Sequence, residues 1–471
     1  MSNIFSAELK NQNFKSLKLR IYPNQEQITL INKTFGCCRQ IFNNRLQEKQ
    51  EFYIDHILSI PKDERKEKSK EIWKQFKPST EKEMKQKFPY MKEVSDRALQ
   101  SARQNCETAF SNFFKSLKGK RKGKKIGYPQ YKSKKETHQS YQEMAILKDR
   151  HFDWNAKTIK IPKLGEVKFY EKALPKWWKI VEDFGTCTIS KTPSGRYYIS
   201  ILCKLKKDWL EETPKNRKDS IGLDFSPSLC YVDSDNKTGK DFGYVAQKQS
   251  NYKRLRKLQR CFARRKTIKD TNSPKKINSK NREKARIKLA KFEEKIANKR
   301  RNWIEIETKR LTTSYNKVVV EDLNLQGMSK FLCNAKNMVD TSWGSFVNKL
   351  LWKASKNENN CQVVKADRYF ASSQICHCCG FKNPITKDLS IREWTCPNCN
   401  TNHIRDVNAA LNLKENAIKT VRQGVSEVSK KSVESVEALA ELALADCGAF
   451  DEAENLIGNG QNVFTHKYVK G

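Results

Sequence analysis

Apolar and basic residues alternate from Leu17 to Tyr22, with Leu17, Leu19 and Ile21 set against Lys18 and Arg20. That two-residue period predicts a half-buried strand, ended by Pro23. From Gln25 to about Gln50 the spacing becomes helical, carried by Ile28, Ile31, Phe35, Ile41, Phe42 and Leu46. The lysine-rich segment Lys62 to Lys87 predicts a mixture of solvated helix and loop. A further helix is expected from about Val94 to Leu117, with Leu99, Ala102, Ala109, Phe113 and Phe114 along it. Between Tyr141 and Leu205 the pattern turns to short β-rich pieces: Thr158 to Ile161, Val167 to Tyr170, Cys187 to Lys191 and Tyr197 to Cys203. Strands without intervening helices suggest a small barrel or sandwich. The strand Leu17 to Tyr22 would complete its sheet, with the helices inserted between.

From Ile221 to Leu413 the chain reads as one mixed α/β domain. Strands are expected at Ser220 to Phe225, Leu229 to Ser234 and Lys317 to Glu321. A very basic helical stretch, Tyr252 to Leu311, lies between them. Its residues Ala285, Leu289, Phe292 and Ile296 form a packing stripe at helical spacing, and a linker at Asn272 to Pro274 would divide it into two helices. Beyond Thr420 the chain turns acidic and alanine-rich, and a dispensable helix or a disordered tail is expected.

Charge narrows the partners. Lys plus Arg number 93 against 53 Asp plus Glu, a net charge of +40. Such an excess points to a polyanion, because neutralising phosphates releases condensed counterions. Hydrophobic residues make up 37% of the chain, enough for real cores, which excludes global disorder. No apolar run is long enough to span a bilayer and no signal peptide follows Met1, so a cytoplasmic protein without a membrane partner is expected, on the nucleoid when bound to DNA. The densest basic run, from Lys118 to Lys135, interleaves aromatics with cations. Lys118, Lys120, Arg121, Lys122, Lys124, Lys125, Tyr128 and Tyr131 are its expected nucleic-acid contacts, since stacking and backbone neutralisation work together.

Of the 15 cysteines, five fall between Cys376 and Cys399. Cys376 and Cys379 form one knuckle, Cys396 and Cys399 another, with sixteen residues between the pairs. This spacing suits one structural Zn²⁺ held by four thiolates, not a disulfide framework. Gly380 and Asn400 stand at matching places after the two knuckles. His403 is expected to hydrogen-bond or to contact phosphate. Cys37, Cys38, Cys187 and Cys203 read as small buried apolar residues. Three carboxylates form a second set: Asp224 in IGLDFS, Glu321 closing VVVE, and Asp406 in HIRDVNAALNL. Each alone is ambiguous. Together they are the oxygen ligands a two-metal nuclease needs, with two Mg²⁺ ions roughly 3.5–4 Å apart. Asp322 is the alternative to Glu321 on the opposite strand face.

The chain resembles the TnpB (OrfB) family of insertion sequences and the related miniature type V CRISPR effectors. The resemblance is carried by KSLKLRIYPNQEQ, FGCCRQIFNNRL, FPYMKEVSDRALQ, AFSNFFK, GYPQYKSKK, IPKLGEV, IGLDFS, VVVEDLNLQGM, ADRYFASSQICHCCG, CPNC and RDVNAALN. It implies a multidomain α+β protein. A wedge β-barrel is expected over 1–24 and 136–215, and a helical recognition insert over 25–135. A RuvC-like (RNase H-type) α/β nuclease domain would span 216–366 and 403–420, with a zinc ribbon at 367–402 and a variable tail at 421–471. It also implies an RNA-guided DNA endonuclease whose catalytic carboxylates are Asp224, Glu321 and Asp406, with guide RNA and double-stranded target DNA as partners. The alternatives are a miniature CRISPR effector, which would be a homodimer, and a non-catalytic zinc-dependent nucleic-acid-binding regulator. A strand-joining transposase fits poorly, because no paired-tyrosine or serine recombinase constellation is present.

Overall fold

The computed structural model describes residues 13–121, 125–134, 138–143, 152–171, 174–206, 216–227, 229–239, 249–270, 273–324, 328, 342–355, 361–367, 369–388 and 390–415. The acidic tail therefore lies outside the described residues. Two compact units divide the chain, one within Met1–Trp209 and one within Leu210–Ser435. Among the described residues no helix is long and apolar enough to cross a membrane.

The first unit joins a sheet to a helical insert. Strand β1 (Asn13–Tyr22) leads through Pro23 into helix α1 (Gln25–His56). The turn between them is fixed by a reciprocal cap: Asn24 Oδ1 accepts from Gln27 N at 2.8 Å, and Gln27 Oε1 accepts from Asn24 N at 2.9 Å. The Gln27 amide then reaches the carbonyls of Leu164 and Glu166, tying the start of the helix to the sheet. The charged segment forms α2 (Lys62–Lys74) and α3 (Glu81–Lys87), and α4 (Asp96–Leu117) packs on α1. Strands β2 (Gln139–Glu143), β3 (Phe152–Asp153), β4 (Thr158–Ile161), β5 (Gly165–Tyr170), β6 (Val181–Lys191) and β7 (Tyr197–Leu205) follow. With β1 they make a seven-stranded antiparallel sheet in the order β2-β6-β7-β1-β5-β4-β3. The first strand thus joins the later ones, as its pattern suggested. The expected barrel does not close: among the described residues nothing pairs β2 with β3, and β3 is only two residues long.

The second unit holds a four-stranded mixed sheet, β13-β12-β8-β9. Its strands are β8 (Lys218–Ser226), β9 (Cys230–Asp233), β12 (Tyr315–Val320) and β13 (Gln362–Lys365). β8, β12 and β13 run parallel and β9 antiparallel to β8. The basic stretch is α5 (Gln249–Arg264) and α6 (Lys280–Ser314). The stretch is divided into two helices as expected, and the connection between them carries a hairpin, β10 (Thr267–Asp270) with β11 (Ser273–Asn278), while Asn272 lies outside the described residues. The hairpin's β-formers Thr267, Ile268 and Ile277 are masked in the sequence by surrounding lysines. Alternation assigns the faces of the sheet. Ile221, Leu223, Val318 and Val320 join α6 and α7 (Trp343–Ser355) in one large core, through Trp303, Trp343 and Phe346. Val319 faces the other way, in a small cluster with Ala366 and Leu413. Leu413 lies on the helix over 405–415, α8.

Candidate active site and metal centre

The register of the parallel strands sets two carboxylates side by side. Val319 pairs with Gly222 and Val320 with Leu223, so the next step places Glu321 beside Asp224. Both continue the face that carries Gly222 and Val319, away from the large core. The third carboxylate comes from α8, whose second residue is Asp406. One turn further on, Ala410 rests on Gly222. A Cβ added to Gly222 would lie 2.0 Å from the Ala410 carbonyl oxygen and 2.9 Å from the Lys414 nitrogen. Glycine is therefore required by the contact, and the contact sets Asp406 above Asp224.

The electrostatics follow from this crowding. Asp224 and Glu321 are hydrogen-bonded to each other, and Asp406 acts on both. Burial, then the Glu321 and Asp406 charges, hold the Asp224 carboxyl well above the usual carboxylate range, with Arg405 opposing. Burial likewise raises Glu321, while the Ser372 hydroxyl and the Phe225 amide pull it down. Ser372 Oγ donates to Glu321 Oε1 at 3.1 Å, and Arg392 Nη1 stands 3.6 Å from Asp406 Oδ1. Asp322, the alternative carboxylate, is ion-paired with Lys365 at 3.1 Å. Three crowded, partly buried carboxylates offer hard oxygen ligands and a charge that a divalent cation would balance.

The cysteine module is a second centre. The sulfurs of Cys376, Cys379, Cys396 and Cys399 all lie within 4.8 Å of one another, a set that can hold a metal such as zinc. Two tight turns bring them together: Gly380 and Asn400, each one residue past its knuckle, have φ of 78° and 55°. Their amides bond back to the carbonyls of Cys376 and Cys396 at 2.9 Å. Burial pushes the Cys376 thiol up to about 12, whereas bonds from Thr401 bring Cys399 down to about 6. His403 is buried, with Nε2 3.0 Å from Cys376 Sγ and its ring against Trp394. It is a hydrogen-bonding neighbour of the Cys376 sulfur, and its burial leaves it unsuited to touching phosphate.

The expected nucleic-acid contacts lie in the first unit. Lys118, Lys120, Arg121 and Lys125 are exposed, whereas Lys122 and Lys124 fall outside the described residues. Tyr128 packs edge-on between Phe110 and Phe113, each at 5.5 Å, and burial raises its hydroxyl pKa. Tyr131 donates to Gln50 Oε1 at 2.6 Å. Asn43 on α1 exchanges two bonds with the Lys132 backbone, at 3.0 and 2.8 Å. The tyrosines thus anchor the basic segment to α1 and α4.

Sequence reasoning overlooked four residues: Gly222, Ser372, Asn408 and Asn412. A glycine two places before a strand carboxylate was one available signal. Another was a pair of asparagines four apart in an otherwise alanine and leucine helix, where a buried amide needs partners.

Residues 14–56 match the family model of the IS605 OrfB helix-turn-helix domain, and residues 200–332 match the OrfB "Probable transposase" model. Residues 343–413 match the model "Cas12f1-like, TNB domain". Over these segments the chain is similar to OrfB and Cas12f1-like proteins. A Streptomyces pristinaespiralis protein named "Putative RNA-guided DNA endonuclease" is 28% identical over 85% of this chain and 88% of its own length. The Escherichia coli (strain K12) protein "Putative RNA-guided DNA endonuclease InsQ" is 24% identical over 85% of this chain and 91% of its own. A solved structure described as "Cryo-EM structure of the Cas12f1-sgRNA-target DNA complex" covers 85% of this chain and 99% of that one. Its identity is 14% and its TM-score 0.27.

Proposed function

We propose that this chain is an RNA-guided DNA endonuclease encoded by an insertion sequence, hydrolysing phosphodiesters at Asp224, Glu321 and Asp406. The observation that carries the reading is that three acidic residues from β8, the end of β12 and α8 converge beside one another. The donor set fits Mg²⁺, being all oxygen and crowded enough that Asp224 and Glu321 are held above the usual carboxylate range. When bound, the divalent ions supply an activated water and stabilise the attacking and leaving oxygens. The chain's own part is to hold the carboxylates: Ser372 and the Phe225 amide orient Glu321, and α8 orients Asp406. One Zn²⁺ on the four cysteines is structural, since four thiolates leave no position for water. Guide RNA and target DNA are the proposed partners, and the excess of basic residues supports that.

The test has two steps. RNA that co-purifies with the full chain is sequenced, and double-stranded DNA carrying its complement is offered with Mg²⁺. Guided cutting that Asp224→Ala abolishes is the expected result. Cutting by Asp224→Ala at the wild-type rate would overturn the site.

A further inference from the structure

The asparagines of α8 connect the cysteine module to the carboxylates. Asn412 is buried, and its Nδ2 donates to the Ser372 carbonyl at 2.8 Å and to the Ile375 carbonyl at 2.5 Å. One turn earlier, Asn408, 1% exposed, donates to the same Ile375 carbonyl at 2.7 Å. Its Oδ1 accepts the His377 backbone N–H at 3.0 Å and lies 3.0 Å from His377 Nδ1. Residues 372–377 are thus clamped to α8 along their length. They begin at Ser372, whose hydroxyl bonds Glu321, and run into Cys376, the first thiolate. The same helix carries Asp406.

We propose that Asn408 and Asn412 form a latch that sets Glu321 through Ser372 and Asp406 through α8, which makes Ser372 and Asn412 positioning residues of the carboxylate site. The physical ground is that the polar groups are buried and paired, so their positions are specified more sharply than apolar packing would specify them. The latch also gives the cysteine module a route to the chemistry: folding of the first knuckle fixes Ile375 and His377, and these hold α8. Partners that orient metal ligands affect metal affinity by about 10–100-fold when removed. The proposal rests on the carboxylate reading, and the test separates the two.

The full-length chain with its co-purified RNA is titrated with Mn²⁺ and bound ion is read by electron paramagnetic resonance, with zinc content measured on the same samples. Wild type, Asp224→Ala, Ser372→Ala, Ser372→Thr and Asn412→Asp are compared. Asn412→Asp preserves shape but removes the donor to both carbonyls. Ser372→Ala removes one hydroxyl and leaves every carbonyl bond, so it keeps the test usable if the Asn412 variant fails to fold. Ser372→Ala and Asn412→Asp are expected to weaken Mn²⁺ binding about tenfold or more at unchanged zinc content. Ser372→Thr, which keeps the hydroxyl, should restore it. Wild-type Mn²⁺ affinity in Ser372→Ala, with affinity lost in Asp224→Ala, would overturn the latch and spare the carboxylate site. Wild-type affinity in Asp224→Ala would overturn the site itself.

Discussion

Gly222→Ala tests the geometry that brings the carboxylates together. The added Cβ would meet the Ala410 carbonyl oxygen at 2.0 Å, where ordinary contact begins at 3.4 Å, so helix and strand must part by about 1.4 Å. The obstacle is backbone on both sides, and no side-chain rotation relieves it. Overpacking of this kind costs about 1–3 kcal/mol. In a unit of this size that lowers Tm by roughly 2–4 °C for each kcal/mol. The chemical cost is larger, because α8 carries Asp406, and a misplacement of about 1 Å can cost about 10²-fold in rate. The assay is guided cleavage under single-turnover conditions beside thermal denaturation, with Gly36→Ala as the control. Gly36 lies inside α1, where the nearest atom to an added Cβ is the end of the Arg39 side chain at 4.0 Å. Alanine there should stabilise by about 0.5–1 kcal/mol through helix propensity. Wild-type cleavage and melting in Gly222→Ala would refute the close approach and the placement of Asp406 that follows from it.

Glu321→Ala and Asp406→Ala should each abolish cutting while RNA binding persists, and Asp322→Ala should retain activity; the reverse outcome in a cleavage assay would move the site to the opposite strand face. Elemental analysis should find about one zinc per chain, lost in the Cys396→Ser and Cys399→Ser double variant. Neutralising Lys118, Lys120, Arg121 and Lys125 together should weaken RNA binding and flatten its dependence on salt, and an unchanged slope would make that run a solvated loop. Asp224→Asn should raise the melting temperature in EDTA while ending activity, because the wild-type carboxyl is buried against Glu321 and Asp406.

Much of the geometry of the candidate site was legible because strand alternation is a strict code. VVVE reads as a buried strand ending in an acid, and IGLDFS as a strand with an acid on the face opposite Leu223 and Phe225, as the register then places them. The knuckle spacing was equally readable, since two enclosed residues fix two thiolates whatever surrounds them. The hairpin at Thr267–Asp270 and Ser273–Asn278 was hidden by lysines that overwhelm its period. The tyrosines of the basic run carry a second signal. Tyr128 and Tyr131 were expected to contact nucleic acid, but an aromatic beside cations is equally suited to filling a gap between helices, and Phe42, Cys106 and Phe110 supply that gap. Ser372, Asn408 and Asn412 act through carbonyls and a hydroxyl brought together only by the fold, and no periodicity marks such contacts.

The two faces of the second sheet divide the work unequally. One packs against α6 and α7 through a core that includes Trp303, Trp343, Phe346 and Leu350. The other, among the described residues, has a cluster of three buried apolar residues, Val319, Ala366 and Leu413. An apolar cluster this small tolerates sliding, because hydrophobic contact is non-directional. Three carboxylates held in register cannot rely on it. The carboxylate face substitutes directional devices: a backbone contact that only Gly222 permits, and amide bonds from Asn408 and Asn412 to fixed carbonyls. Apolar burial is thus concentrated on the face opposite the carboxylates, and the carboxylate face is held by geometry. Substitutions on the α6 and α7 side should therefore change melting more than rate, and substitutions at Gly222, Ser372 or Asn412 should change rate more than melting.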